Sequence, residues 1–245
     1  MDIKSLYHSY LQYKETERVH GKDGLFHASA AGSCYKKQLY KHFDYPEAPM
    51  DDKSYRILRL GTIVHKEIED AINWYNKSNS DHNKIIYTEH KIFIDELNVT
   101  GTYDAGVWML DSNMFKVYDL KTVAAYKWTK KFGRKVNREV DSDRNYKMQI
   151  GTYALGINDE IQPKNIEMYL VWYNKNTSMI REQPVSPEWI TKALEYWVEL
   201  NNILEDCGNK FEEELKPEYT VGVPFQSWEC SYCQFKEICL TKKKG

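Results

Sequence analysis

A mixed α/β fold, one β-sheet flanked by helices, is what the hydrophobic patterning of this chain predicts. Apolar or alternating runs at 84–95, 99–110, 115–122, 166–174 and 178–185 read as strands. Helical spacing precedes, divides and follows them, so the order is helices, three strands, helix, two strands, helix, tail. A third observation narrows the class. The chain has no Gly-rich phosphate loop and no G-x-S-x-G elbow, so neither a nucleotide-binding P-loop nor an α/β-hydrolase fits.

Taken in order, residues 2–17 read as an amphipathic helix with no apolar core of a signal peptide. A short helix is expected from Ser33 to Phe43, then a loop, PEAPMDD, then a long helix from Ser54 to Asn76. The long helix keeps its period through Ile57, Leu60, Val64, Ile68 and Ile72; Gly61 interrupts it, which points to a close packing partner there. The three following runs form an antiparallel meander. Helical spacing returns at 144–157, and Ser186-Pro187 opens a last helix reaching Glu205.

Composition sets limits on function. The 245 residues are 42% hydrophobic and 29% charged, a globular balance. Lys plus Arg total 34 against 36 Asp plus Glu, so any polyanion surface has to be a local patch. No run approaches the ~20 apolar residues of a membrane span, so the expectation is a cytoplasmic protein with no membrane partner.

Asp119-Leu120-Lys121 ends the third predicted strand, and residues two apart on a strand share a face. Asp104, on the preceding strand after Gly101-Thr102-Tyr103, can come beside Asp119. Two carboxylates and the Leu120 carbonyl make a hard oxygen site suited to Mg²⁺ or Mn²⁺. Lys121 beside it can stabilise charge developing on a phosphate. The acid-x-Lys spacing alone is weak, since it recurs at Asp2–Lys4, Asp51–Lys53, Glu89–Lys91 and Glu214–Lys216. Context distinguishes 119–121: it ends an apolar strand and follows an acid on the neighbouring one. His65 lies four residues after Gly61, and Gln149 and Tyr153 share a helix face at i and i+4. By themselves these three are compatible with ordinary surface and core roles.

In this order Gly61–His65, Gly101–Asp104, Asp119–Lys121 and Gln149–Tyr153 resemble the motifs of the PD-(D/E)XK nucleases of the RecB-like branch. The resemblance implies a restriction-endonuclease-like sheet core and a single nuclease domain over 1–245, with a catalytic core at about 54–185. It implies His65, Asp104, Asp119 and the Leu120 carbonyl as metal ligands, Lys121 as the catalytic lysine, and Gln149 and Tyr153 as substrate-side helpers. The activity implied is that of an Mg²⁺- or Mn²⁺-dependent deoxyribonuclease, an exonuclease acting on single-stranded DNA or DNA ends. With no helicase motif in the chain, a helicase, recombination or CRISPR-adaptation partner would be a separate protein.

Cys230-x2-Cys233-x5-Cys239 offers three thiolates, and Cys34 or Cys207 could supply a fourth. Chemistry alone leaves tetrahedral Zn²⁺ and an iron–sulfur cluster both open. The resemblance decides further, because CRISPR-associated and AddB-type exonucleases carry a [4Fe–4S] cluster held by one early and three late cysteines. It implies Cys34, Cys230, Cys233 and Cys239 as ligands, with segments 27–45 and 222–240 clasped together. A phage or recombination exonuclease outside CRISPR adaptation is the alternative, and a non-catalytic, zinc-stabilised nucleic-acid-binding module the alternative from another class.

Residues 127–138, KWTKKFGRKVNR, hold six basic residues and no acid. Lys127, Lys130, Lys131, Arg134, Lys135 and Arg138 suit phosphate contact, and Trp128 suits base stacking, from a loop beside the site.

Overall fold

Six strands among the described residues form where β-branched and aromatic side chains alternate with polar ones, and they join one sheet. The structure is a computed structural model that describes residues 2–16, 24–79, 82–134, 143–210 and 227–241. Strands β2 (Lys84–Ile94), β3 (Val99–Met109) and β4 (Met114–Val123) make the expected antiparallel meander. Strand β5 (Asn165–Asn174) runs parallel to β4, and β6 (Ile180–Val185) returns antiparallel along β5. A two-residue strand, β1 (Phe26–His27), lies parallel to the start of β3. Two residues carry no periodicity, which is why the sequence did not reveal it.

The meander is not uniformly closed. Strands β3 and β4 pair from Met109↔Met114 to Ala105↔Tyr118 and no further. Beyond that point β3 gives its free edge to β1 at Val99 and Thr100, while β4 continues along β5 to Val123. The sheet therefore forks, and the fork opens at Asp104 and Asp119.

Helices α1 (Ile3–Thr16), α2 (Tyr35–His42), α3 (Asp52–Ser78), α4 (Ala125–Phe132), α5 (Arg144–Glu160) and α6 (Glu188–Cys207) flank the sheet. Short helices α7 (Ser227–Ser231) and α8 (Lys236–Thr241) follow. The long helix starts two residues earlier than its period indicated, because the Asp51 carboxylate accepts the N–H groups of Lys53 and Ser54 at 2.9 and 3.0 Å. Such an N-cap stabilises a helix by about 1 kcal/mol. None of its side chains is fully buried, although Asn73 is tied to Thr88 of β2 at 3.2 Å. Helix α5 is its opposite. Met148, Ile150, Tyr153, Ala154 and Ile157 are all buried, and Trp197 of α6 donates its indole N–H to Thr152 at 2.8 Å. No helix among the described residues is long and apolar enough to cross a membrane.

The basic segment differs from expectation. Over Ala125–Phe132 it is a helix, not a loop, and its partner is Asp143 at the start of α5. The Asp143 carboxylate is wholly buried and meets Lys131 at 2.5 Å and Lys147 at 3.1 Å, while Gln183 of β6 donates to it at 3.1 Å. Burial opposes ionisation of Asp143, but its bond to Lys131 and the two cations outweigh that and hold its pKa below the ordinary 3.8. A depressed carboxylate contributes stability in full above its ordinary pKa and loses it as pH falls through the lower, folded value. Asp143→Ala should lower stability by about 3 kcal/mol at neutral pH, since it strands two inward-facing cations. In urea titrations the gap between wild type and variant should shrink as pH falls below about 3.8. An equal gap at pH 3 and pH 7 would contradict this account.

Candidate active site

At the fork, the Leu120 N–H has no β3 backbone to pair with, and the Asp104 carboxylate takes it instead, at 2.5 Å. The N–H and C=O of one strand residue share an edge, so the Leu120 carbonyl faces the same opening. The other Asp104 oxygen lies 3.1 Å from Nδ1 of His65, carried on α3. Asp119, 2% exposed, stands one residue before Leu120 and meets the Lys121 ammonium at 2.8 Å.

Two glycines permit these approaches. A Cβ on Gly61 would come within 3.1 Å of the Thr122 hydroxyl, so the gap in the helix pattern marks where α3 closes on β4. A Cβ on Gly101 would lie 2.6 Å from that of Ala28 and 2.9 Å from the Tyr153 ring. That is closer than packing tolerates.

Behind the cleft, Lys121 donates to Oε1 of Gln149 at 2.8 Å, and Nε2 of Gln149 reaches the Tyr153 hydroxyl at 2.6 Å. Both residues are buried, so they brace the lysine from below and do not border the opening. Burial raises the Tyr153 phenol well above its usual pKa, keeping it a neutral partner. The Lys121 ammonium also stands 4.9 Å from the centre of the Tyr146 ring.

Electrostatics single out the same carboxylates. Burial pushes Asp119 up to about 6, against the pull of Lys121 and with the Asp104 charge adding to the rise. Burial alone would lower the pKa of His65, yet its bond to Asp104 outweighs it and the pKa ends raised. Two clustered carboxylates thus carry a cost that a cation in the cleft would relieve. The donor set, two carboxylates, a carbonyl and an imidazole, suits a divalent ion. The carboxylates stand as ion pairs with Lys121 and His65; no group of three His, Cys, Asp or Glu among the described residues forms a ready cage.

The opening above them is a cleft of about 510 Å³. Besides His65, Asp104, Leu120 and Lys121 it is bordered by Lys66, Glu69, Glu89 and Lys175. The sequence reading set Glu89–Lys91 aside as a competing pair; Glu89 borders the cleft and Lys91 does not. Glu89 adopts φ +46° within β2, between the register pairs Thr88↔Ala105 and His90↔Tyr103. A left-handed residue inside a strand costs on the order of 1–3 kcal/mol. Glu69 lies one helical turn from His65, a spacing from which it could have been anticipated.

The segment proposed to grip DNA is largely occupied by internal contacts. Lys127 bonds the Tyr146 hydroxyl at 3.0 Å, Lys131 is held by Asp143, and Lys130 lies over the Tyr126 ring. Trp128 packs on Phe132 with ring centres 4.8 Å apart. Arg134 is exposed, while Lys135 and Arg138 lie outside the described residues.

Away from the cleft's lining, Cys34, Cys230, Cys233 and Cys239 border one small cavity, and Cys207 does not. The Cys34 N–H donates to Glu229 at 3.0 Å, and Tyr40 stacks on Phe235 with ring centres 5.3 Å apart. Burial raises the Cys34 thiol to about 11. The four thiols share this cavity's border, but they too form no ready metal cage among the described residues.

A family model for the PD-(D/E)XK nuclease superfamily matches residues 5–240. Among solved structures, that of SSO0001 superposes with a TM-score of 0.51 at 17% identity, covering 99% of this chain and 98% of that one. A Eubacterium rectale structure named "Putative exonuclease" gives 0.53 at 15% identity, covering 80% and 86%. No curated protein matches. Gly101→Ala should cost about 1–3 kcal/mol by forcing Ala28 and the Tyr153 ring apart, read as a lower urea midpoint. An unchanged midpoint would mean that this contact yields freely.

Proposed function

The chain belongs to the PD-(D/E)XK nuclease superfamily, and we propose that it is a divalent-metal-dependent deoxyribonuclease, an exonuclease acting on single-stranded DNA or DNA ends. The observation that carries the reading is the convergence of Asp104, Asp119 and Lys121 at the sheet fork, with the lysine fixed from behind. Asp104, Asp119, the Leu120 carbonyl and His65 would hold Mg²⁺ or Mn²⁺. The bound ion would supply Lewis-acid charge to the scissile phosphate. Lys121 contributes a cation aimed by two partners, so little reorganisation is needed as negative charge builds on the phosphate. Gln149 and Tyr153 act by holding Lys121 and not by touching substrate. Lys130 on α4 and Arg134 just beyond its end are the described cations best suited to the DNA backbone.

The cysteine cavity supports a second part of the reading, a structural [4Fe–4S] cluster on Cys34, Cys230, Cys233 and Cys239. Its ligands would join α2 to the C-terminal segment, alongside the bond from Cys34 to Glu229. Zn²⁺ is the competing occupant.

Calorimetric titration with Mn²⁺ should show binding lost in Asp104→Ala and Asp119→Ala but retained in Lys121→Ala. All three should cut cleavage of end-labelled DNA by at least about 10²-fold. Full activity in Asp119→Ala would overturn the assignment. Anaerobically purified protein should be brown, absorb near ~400 nm and hold about four irons per chain. Colourless protein with one stoichiometric zinc would replace the cluster by a zinc site. Cys34→Ala should lower iron content and stability, and Cys207→Ala neither.

A further inference from the structure

The cations bordering the active cleft are unequal. Lys66 is held by Glu69 and Asp70 at 3.0 and 3.1 Å, and Lys121 by Asp119 and Gln149. Lys175 differs, because its ammonium has no ion pair or hydrogen bond among the described residues, although the side chain is half-buried and borders the cleft.

Its backbone is held on every side. The Lys175 N–H donates to the Val123 carbonyl at 2.9 Å, which ties the turn after β5 to the end of β4. Asn174, buried, accepts the Asn176 N–H at 2.9 Å, and Asn176 in turn accepts the N–H of Ala125 at 2.7 Å. Asn174 also pairs in register with Val123, two residues beyond Lys121. The chain thus fixes the base of an unneutralised lysine beside the reacting centre. Partly desolvating a cation without a partner is unfavourable, and an incoming anion reverses that cost.

The cleft border also has an apolar stretch. Ile57 and Leu58 of α3 border the same cleft and are 47% and 52% exposed. Apolar side chains, a lone cation and acidic groups bordering one cleft complement a nucleotide, which presents a flat base and a phosphate.

Resting on the nuclease reading above, we propose that Lys175 grips a backbone phosphate next to the scissile one, and that Ile57 and Leu58 support the adjoining base. A base in a duplex offers only its edge, so this stretch serves a base that is unstacked.

The test is fluorescence anisotropy with a labelled oligothymidylate and Mg²⁺, in a Lys121→Ala background that does not cut. Lys175→Ala should weaken binding several-fold and lower the slope of log affinity against log salt by about 0.7, the loss of one single-strand phosphate contact. Lys175→Arg should restore both. Ile57→Ser with Leu58→Ser should weaken binding without changing the slope, because it removes contact area and no charge. Mn²⁺ affinity should stay as in the parent throughout. Unchanged affinity and slope in Lys175→Ala would overturn the proposal while leaving the nuclease reading intact. A parent that binds metal but no oligothymidylate would overturn this proposal and the single-strand part of the nuclease reading.

Discussion

When β3 and β4 part company after Ala105 and Tyr118, a backbone N–H in the middle of a sheet loses its partner. An unpaired polar group in such a place costs about 1–3 kcal/mol, so something must answer it. Asp104 does, and in doing so is drawn to the mouth of the fork with its second oxygen free for His65. The geometry of the site follows from that substitution of a side chain for a strand. Closing the fork with a further pair of ladder bonds would satisfy Leu120 and remove the opening in which a phosphate could be held.

The opening also has to be kept from collapsing, and that falls to α5. Its buried face fills the space behind the sheet, and Gln149 and Tyr153 on it form a buried polar pair among apolar neighbours. A buried amide is expensive unless each end is matched; here the carbonyl serves Lys121 and the amino group serves the tyrosine. The lysine is thereby oriented from a densely buried helix. Helix α3 on the other wall has no fully buried residue, so one wall of the cleft is rigidly packed and the other more lightly held.

Much of this was legible beforehand, for reasons that differ by element. Strands β2 to β5 announce themselves because alternation survives wherever one face is packed. Asp119 and Lys121 fall on one face by the pleat alone, and Gly61 and Gly101 mark contacts that exclude a side chain. Helix α4 was misread because its eight residues are rich in lysine and the acid that neutralises Lys131 lies twelve residues on, at Asp143. Charge counted locally looked like an open binding surface. Lys175 escapes because nothing in its neighbourhood is unusual, and Glu89, though it stands in an acid-x-Lys pair, lacks the upstream acid that marks Asp119; both reach the cleft only through the strand pairing that brings β2 and the β5 turn to it. Arrival by folding leaves no mark in a linear pattern.

The bond between the Cys34 N–H and Glu229 spans 195 positions, and this has a bearing on synthesis. Chains emerge from the ribosome in order, and early segments begin to fold before late ones exist. All of the sheet, and every residue at the fork, is delivered before the first of the three late cysteines. The fork can therefore take shape while Cys34 still waits for the three late thiols. The cysteine cavity thus assembles only after the residues of the fork are made, once Cys230, Cys233 and Cys239 have followed Cys34.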